Sequence, residues 1–213
     1  MVHAIYHRFV VGNNNNNNND NKQQQQQQQQ QQLVLDVHLC VDRPQRYAQA
    51  MVEAGATRII YQWEAMHQQP NIDTNNNNSS NNNSDSSNSQ EENYESNKTI
   101  LNKAIEFAQE ITIVHKLKCG ISINPSTDIT SIFPLLDTGL IDLVDILAVE
   151  PGFGGQEFNP IALTKIKALR HYIDNELRPK LGIDVIILVD GGINTATCAD
   201  VIHAGADILV AGM

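Results

Sequence analysis

Six short apolar segments recur along this 213-residue chain, and the stretches between them carry helical spacing. They begin near residues 33, 57, 119, 143, 185 and 207, at intervals of 24, 62, 24, 42 and 22; the 62 falls to 34 once a 28-residue polar insertion is set aside. Intervals of this size fit parallel strands joined by helical crossovers, because a parallel pair cannot be closed by a hairpin. The segments Leu33–Cys40, Thr57–Glu64, Cys119–Ile123, Leu143–Val149, Val185–Val189 and Asp207–Val210 read as the strands. Helices are predicted over Pro44–Ala54, Thr99–His115, Ile129–Leu136, Pro160–Ile173 and Thr195–Ala204. Six such units build either an open doubly wound sheet or most of a (β/α)8 barrel.

Two tracts contribute nothing to that pattern. Asn13–Gln32 is 20 residues of almost pure Asn and Gln, and 28 residues from Pro70 to Asn97 are dominated by Asn, Ser, Gln and Glu. Neither can bury apolar surface, so both are expected to be solvated and disordered, with some tendency to self-associate through amide ladders. Setting them aside leaves 165 residues, enough for one domain. The expected organisation is a divergent stretch over 1–32 and a barrel-like unit over 33–213 interrupted by the low-complexity insertion 70–97.

Charge and cysteine usage exclude several functions. With 14 basic and 24 acidic residues the net charge is −10, and no basic cluster breaks the acidic background, so nucleic-acid binding is not expected. The longest aliphatic run, Val185–Val189, is far short of a membrane span, and residues 1–12 have no secretory signal pattern. Cys40, Cys119 and Cys198 are odd in number and widely spaced, which reads as reduced thiols of an intracellular protein.

Polar residues gather at one end of the expected strands. Asp36 and His38, Glu64, Asn124, Glu150 and Asp190 all fall at or near carboxyl ends, the edge that carries the active site in both candidate architectures. Asp36 and His38 share a strand face, about 6.5 to 7 Å apart along it. Alone, that pair reads either as a buried histidine satisfied by a carboxylate or as a metal or acid–base pair. Glu150-Pro-Gly-Phe-Gly-Gly-Gln156 follows one strand, and three glycines in four residues let successive amides converge on an anion. Val189-Asp-Gly-Gly-Ile-Asn-Thr195 repeats the logic, with Asn194 or Thr195 as helix N-cap, and Val210-Ala-Gly212 closes the last strand. In barrels, loops after the last two strands commonly form a phosphate site.

Taken together, LDVHLCV, VEPGFGGQ, VDGGIN and the terminal AGADILVAG, supported by INPST and PLLD, resemble the ribulose-phosphate 3-epimerase family from Leu33 to Gly212. The resemblance implies a (β/α)8 TIM-type barrel, interconversion of D-ribulose 5-phosphate and D-xylulose 5-phosphate in the pentose phosphate pathway, and one divalent metal ion such as Zn, Fe or Mn. It further implies His38 and Asp190 as metal ligands and Asp190 as a catalytic acid–base group. His38, Gly152, Phe153, Gly154, Gly155, Gly191, Gly192 and Gly212 are implied to bind the substrate and its phosphate. The implied partner is a pentulose 5-phosphate, the implied location the cytoplasm or a plastid, and homo-oligomerisation is left open.

The departures from the family are also specific. Its second strand, of the form HLDxMDGHFVPN, supplies a second His ligand and a second acid–base Asp, and nothing here matches it. The expected barrel therefore lacks its first two strands and last helix. Replacement of the lost ligands by His3 or His7 would require rearrangement. Two methionines of the family become Cys40 and Leu147, and Gln62 stands where its FHxEA segment has His. Two functions follow: an epimerase, or an impaired relative that binds phosphosugar or assembles with partners without turnover. With one acid–base group of two, little or no epimerisation is expected of this chain.

Overall fold

The computed structural model describes residues 3–9, 34–67 and 89–212. Its sheet has seven strands: β1 (His3–Phe9), β2 (Val34–Cys40), β3 (Arg58–Gln62), β4 (Lys118–Ile123), β5 (Leu143–Leu147), β6 (Ile186–Asp190) and β7 (Ile208–Val210). The helices are α1 (Gln45–Glu53), α2 (Ser89–Gln109), α3 (Phe133–Leu136), α4 (Ile161–Tyr172), α5 (Arg178–Leu181) and α6 (Cys198–Ala204). Wide π turns continue α2 over Glu110–Val114 and α4 over Ile173–Leu177.

Strands β2 to β7 are parallel and lie in strict chain order. A doubly wound sheet reverses its strand order at a switch point, and this one does not, so the six units form a partial (β/α) barrel. The two strand faces pack differently. Val37, Ile59, Tyr61, Ile121, Val144 and Ile187 join the main core with helix residues such as Ala48, Phe107, Leu135, Ile166 and Val201. Each fully buried aliphatic of this kind contributes about 1.5 to 3 kcal/mol. Tyr61 is tied further to α2, its hydroxyl donating to the Ala104 carbonyl at 2.9 Å and its ring meeting Phe107 edge-on at 5.0 Å. The opposite face holds a smaller cluster, Ile60, Leu143 and Leu188 against Ile186, Ile208 and Val210, which is the lumen side.

Register stacks the lumen side in layers. Asp36, Arg58 and Lys118 align at the amino ends; His38, Ile60, Gly120, Leu143 and Ile186 come next; then Gln62, Ser122, Asp145, Leu188 and Ile208. Leu147, Asp190 and Val210 top the sheet.

The structure departs from the sequence pattern at three places. No strand was predicted in the divergent stretch over 1–32, and β1 pairs antiparallel to β2 over its full length, with Ile5 opposite His38 and His7 opposite Asp36. Part of the polar insertion is helical, since α2 begins at Ser89 rather than Thr99. Glu91, Glu92 and Glu95 are good helix formers whose charge suits an N-terminus, and they are continuous with the apolar-faced helix behind them. The helix expected from Thr195 starts at Cys198. The tract Asn13–Gln32 and the insertion up to residue 88 lie outside the described residues. Among those described, no helix is long and apolar enough to cross a membrane.

Candidate active site

The carboxyl ends of the strands open onto a cavity of about 510 Å³ lined by His38, Cys40, Leu147, Asp190, both glycine loops and Gly212. The residues that the resemblance implied as ligands or substrate contacts, His38, Asp190, Phe153 and the glycines, are in that lining, and Asp36 is not. Phe153 is 90% exposed at the tip of its loop. The loop is closed by Gln156, whose side-chain amide donates to the carbonyls of Glu150 at 2.7 Å and Phe153 at 2.8 Å.

The second glycine loop is the tighter of the two. Gly191 (φ 107°) and Gly192 (φ 65°) both occupy the left-handed region, and a Cβ on either would come within 2.5 Å of Val149 or of the Phe158 backbone. Here glycine is required by both conformation and space. Gly154 differs: a Cβ there meets nothing within 4 Å, so only a ligand would call for its absence. Beyond Gly192, the Asn194 carboxamide accepts from Ala196 N at 2.8 Å, while the Thr197 hydroxyl accepts from Asn194 N at 3.0 Å and donates to the Gly192 carbonyl at 3.1 Å. This turn delays the helix to Cys198, with Thr197 as N-cap.

The Asp36–His38 pair divides. The Asp36 carboxylate turns to Arg58 at 2.5 Å, at the amino ends of the strands, where Arg58 also donates to both Asp142 oxygens at 3.0 and 2.8 Å. Burial works against that guanidinium, and its hydrogen bonds to the two carboxylates more than offset this, holding its pKa above the ordinary value.

His38 points the other way, into a polar network. Its Nε2 donates to Gln62 Oε1 at 3.1 Å, and the Gln62 amide in turn donates to Glu64 at 2.9 Å and Asn124 at 2.5 Å. Glu64 also accepts from the Asn124 amide at 2.9 Å and from the Thr127 hydroxyl. Buried Lys165 ties the segment down by donating to the carbonyls of Asn124 at 2.6 Å and Thr127, and desolvation pulls its pKa below the usual lysine value. With Nε2 on the Gln62 oxygen, His38 turns Nδ1 inward.

What Nδ1 meets is a residue that motif reading missed. Asp145, on β5, has Oδ2 at 3.4 Å from His38 Nδ1 and accepts there from Ser122 at 3.0 Å. Asp145 is 2% exposed, and its Oδ1 has no hydrogen-bond partner among the described residues. Desolvation, then the nearby Asp190 charge, pushes its pKa well above the carboxylate range. Ligand atoms of His38, Asp145 and Asp190 all lie within 4.8 Å of one another, a donor set of one imidazole and two carboxylates that fits Zn, Fe or Mn. A signal for Asp145 existed: it is the one charged residue in Leu143–Leu147, on the lumen phase of the strand alternation. Cys40 is held as a thiol, its pKa raised by burial and by Asp145 and Glu64.

Fold and cavity define a (β/α)-barrel protein with a histidine–carboxylate cluster between two glycine loops at the carboxyl edge. The chain belongs to the ribulose-phosphate 3 epimerase family, whose sequence model matches residues 13–78 and 95–213. It is 32% identical over 180 residues to the ribulose-phosphate 3-epimerase of Bacillus subtilis (strain 168), covering 84% of this chain and 64% of the relative. The Synechocystis sp. enzyme of the same name is 32% identical over 178 residues, covering 84% and 60%. The "Ribulose-phosphate 3-epimerase, cytoplasmic isoform" of Oryza sativa subsp. japonica is 29% identical over 179 residues, covering 84% and 59%. The matched region thus spans about three fifths of the length of these relatives.

Proposed function

We propose that this chain carries an epimerase site for D-ribulose 5-phosphate and D-xylulose 5-phosphate, with Asp190 as its proton-transferring group. The observation that supports the reading best is that Asp190, His38 and the two glycine loops line one and the same cavity. A phosphate would be held by backbone amides over Gly152 to Gly155, at Gly191 and Gly192, and at Gly212, which suits an acidic chain that has no basic cluster to offer. Phe153 would lie along the sugar. A divalent Zn, Fe or Mn ion held by His38 and Asp190 would supply Lewis acidity to the ketone and lower the cost of forming a carbanion beside it. Asp190, half-buried, would take the proton from carbon 3 on one face and return it there.

A second reading is binding without turnover. It draws on the cavity lining, where the one carboxylate besides Asp190 is Glu150, exposed on its glycine loop. The working unit in either case is residues 33–213, acting in the cytoplasm or a plastid, alone or as a homo-oligomer.

Deuterium incorporation at carbon 3, followed by NMR in heavy water with added zinc or manganese, separates the two. The expected outcome is slow exchange into one epimer, little net epimerisation, and loss of exchange in Asp190→Asn. Pentulose phosphate binding with no exchange would leave the binding reading, and absence of both would sink the two together.

A further inference from the structure

We propose that Asp145 supplies a third ligand, from β5, to the divalent metal that His38 and Asp190 would hold, so that three strands of this chain build the centre. The inference rests on the metal-dependent epimerase reading and adds a residue that none of the family motifs above carries.

Three observations converge on it. First, Asp145 has no reason to be where it is as a packing residue. It sits in a strand whose other four members are apolar, it is 2% exposed, and Leu143 directly below it on the lumen face is wholly buried. A carboxyl group in that setting costs several kcal/mol unless a cation or a full set of donors meets it. Ser122 offers one donor to Oδ2, and Oδ1 has no hydrogen-bond partner among the described residues.

Second, apart from the Ser122 hydroxyl, the groups brought to Asp145 are potential metal-ligand atoms. The Gln62 oxygen takes the Nε2 proton of His38, and Gln62 cannot turn over without forfeiting its donations to Glu64 and Asn124. Nδ1 therefore faces Asp145 Oδ2 at 3.4 Å. Asp190 completes a set whose ligand atoms lie within 4.8 Å of one another. An imidazole nitrogen and two carboxylates brought this close define a place for a cation.

Third, the three come from separate, rigid elements. His38 is on β2, Asp145 on β5 and Asp190 ends β6, and β5 and β6 are paired through Leu147 and Asp190. His38 and Asp190 line the cavity, so an ion held by the three residues would lie within reach of a substrate bound there, as a catalytic rather than a purely structural site requires.

The test uses the full chain titrated with Zn²⁺ and Mn²⁺ by calorimetry, with Co²⁺ absorption as a report of coordination. Wild type should take up one ion per chain. Asp145→Asn keeps an oxygen for Ser122 but loses the charge, and should weaken uptake at least tenfold and shift the Co²⁺ bands, while inorganic phosphate binds as before. Asp145→Leu should bind no ion, yet without metal it should melt at or above the wild-type temperature, because it removes a poorly satisfied buried carboxyl. Metal binding by Asp145→Asn equal to wild type, alongside loss in Asp190→Asn, would overturn the proposal and leave the epimerase reading standing. Failure of wild type to bind any of the three ions would overturn it too. Loss of carbon 3 exchange with metal uptake intact would count against the epimerase reading alone.

Discussion

Gly192 shows how a single residue separates fold from function in this site. Its φ of 65° costs any other L-residue about 1 to 3 kcal/mol, and a Cβ there would sit 2.5 Å from the Phe158 backbone. Gly192→Ala should therefore lower thermal stability and push the loop after β6 out of place, weakening inorganic phosphate binding at least tenfold in calorimetry. Gly154→Ala, in open space, should leave stability unchanged. Phosphate binding by Gly192→Ala equal to wild type would show that this loop does not hold the anion. The glycines were legible in the sequence because a run of them between strand and helix has few other uses, although the sequence could not rank Gly192 above Gly154. Asp145 was legible only as a lone charge in an apolar strand, and its role was not. Its significance depends on lying beside β2 and β6 in space, and His38 comes within 3.4 Å of it across 107 positions of sequence. Likewise Asp36, which the strand period places on the same face as His38, is claimed by Arg58 at the other end of the lumen.

At the scale of elements, that ion cluster is what seals the amino end of the sheet. Arg58 starts β3, is 4% exposed, and bridges Asp36 of β2 to Asp142 just before β5. Replacing it by a neutral side chain leaves Asp36 buried without its counter-ion, and Asp36 Oδ1 has no hydrogen-bond partner among the described residues even now. Arg58→Met should cost about 3 to 5 kcal/mol, read as a lowered denaturation midpoint at unchanged slope. The double change Arg58→Met with Asp36→Leu should recover most of the loss, since an apolar pair needs no counter-charge. A single variant as stable as wild type would mean that the cluster contributes no net stability. The six parallel strands were readable to within a few residues because burial on both faces leaves continuous apolar runs. The strand β1 was not, since HAIYHRF lacks such a run and its pairing to β2 is a tertiary choice. The start of α2 was hidden for the opposite reason, its first turns being as polar as the insertion they leave.

For the whole molecule, the order β1 to β7 leaves a sheet with two ends rather than a closed ring among the described residues. Open ends of a sheet carry unpaired backbone donors and acceptors and template association. On one side β1 caps β2 through a seven-residue antiparallel register, from His3 opposite Cys40 to Phe9 opposite Val34. The family match, by contrast, passes over residues 79–94, and α2 begins at Ser89, so residues 79–88 belong to neither the shared sequence nor a described element. Two deletions should then behave oppositely. Removing 79–88 should leave the melting temperature and inorganic phosphate binding unchanged, because insertions of this composition are tolerated where they contribute no burial. Removing residues 1–12 should uncover the edge of β2, beside the strand that carries His38, and produce concentration-dependent association in light scattering. Wild-type behaviour of the second variant at the same concentration would mean that β1 does not protect the edge. Loss of phosphate binding in the first would mean that the inserted residues contribute to the site.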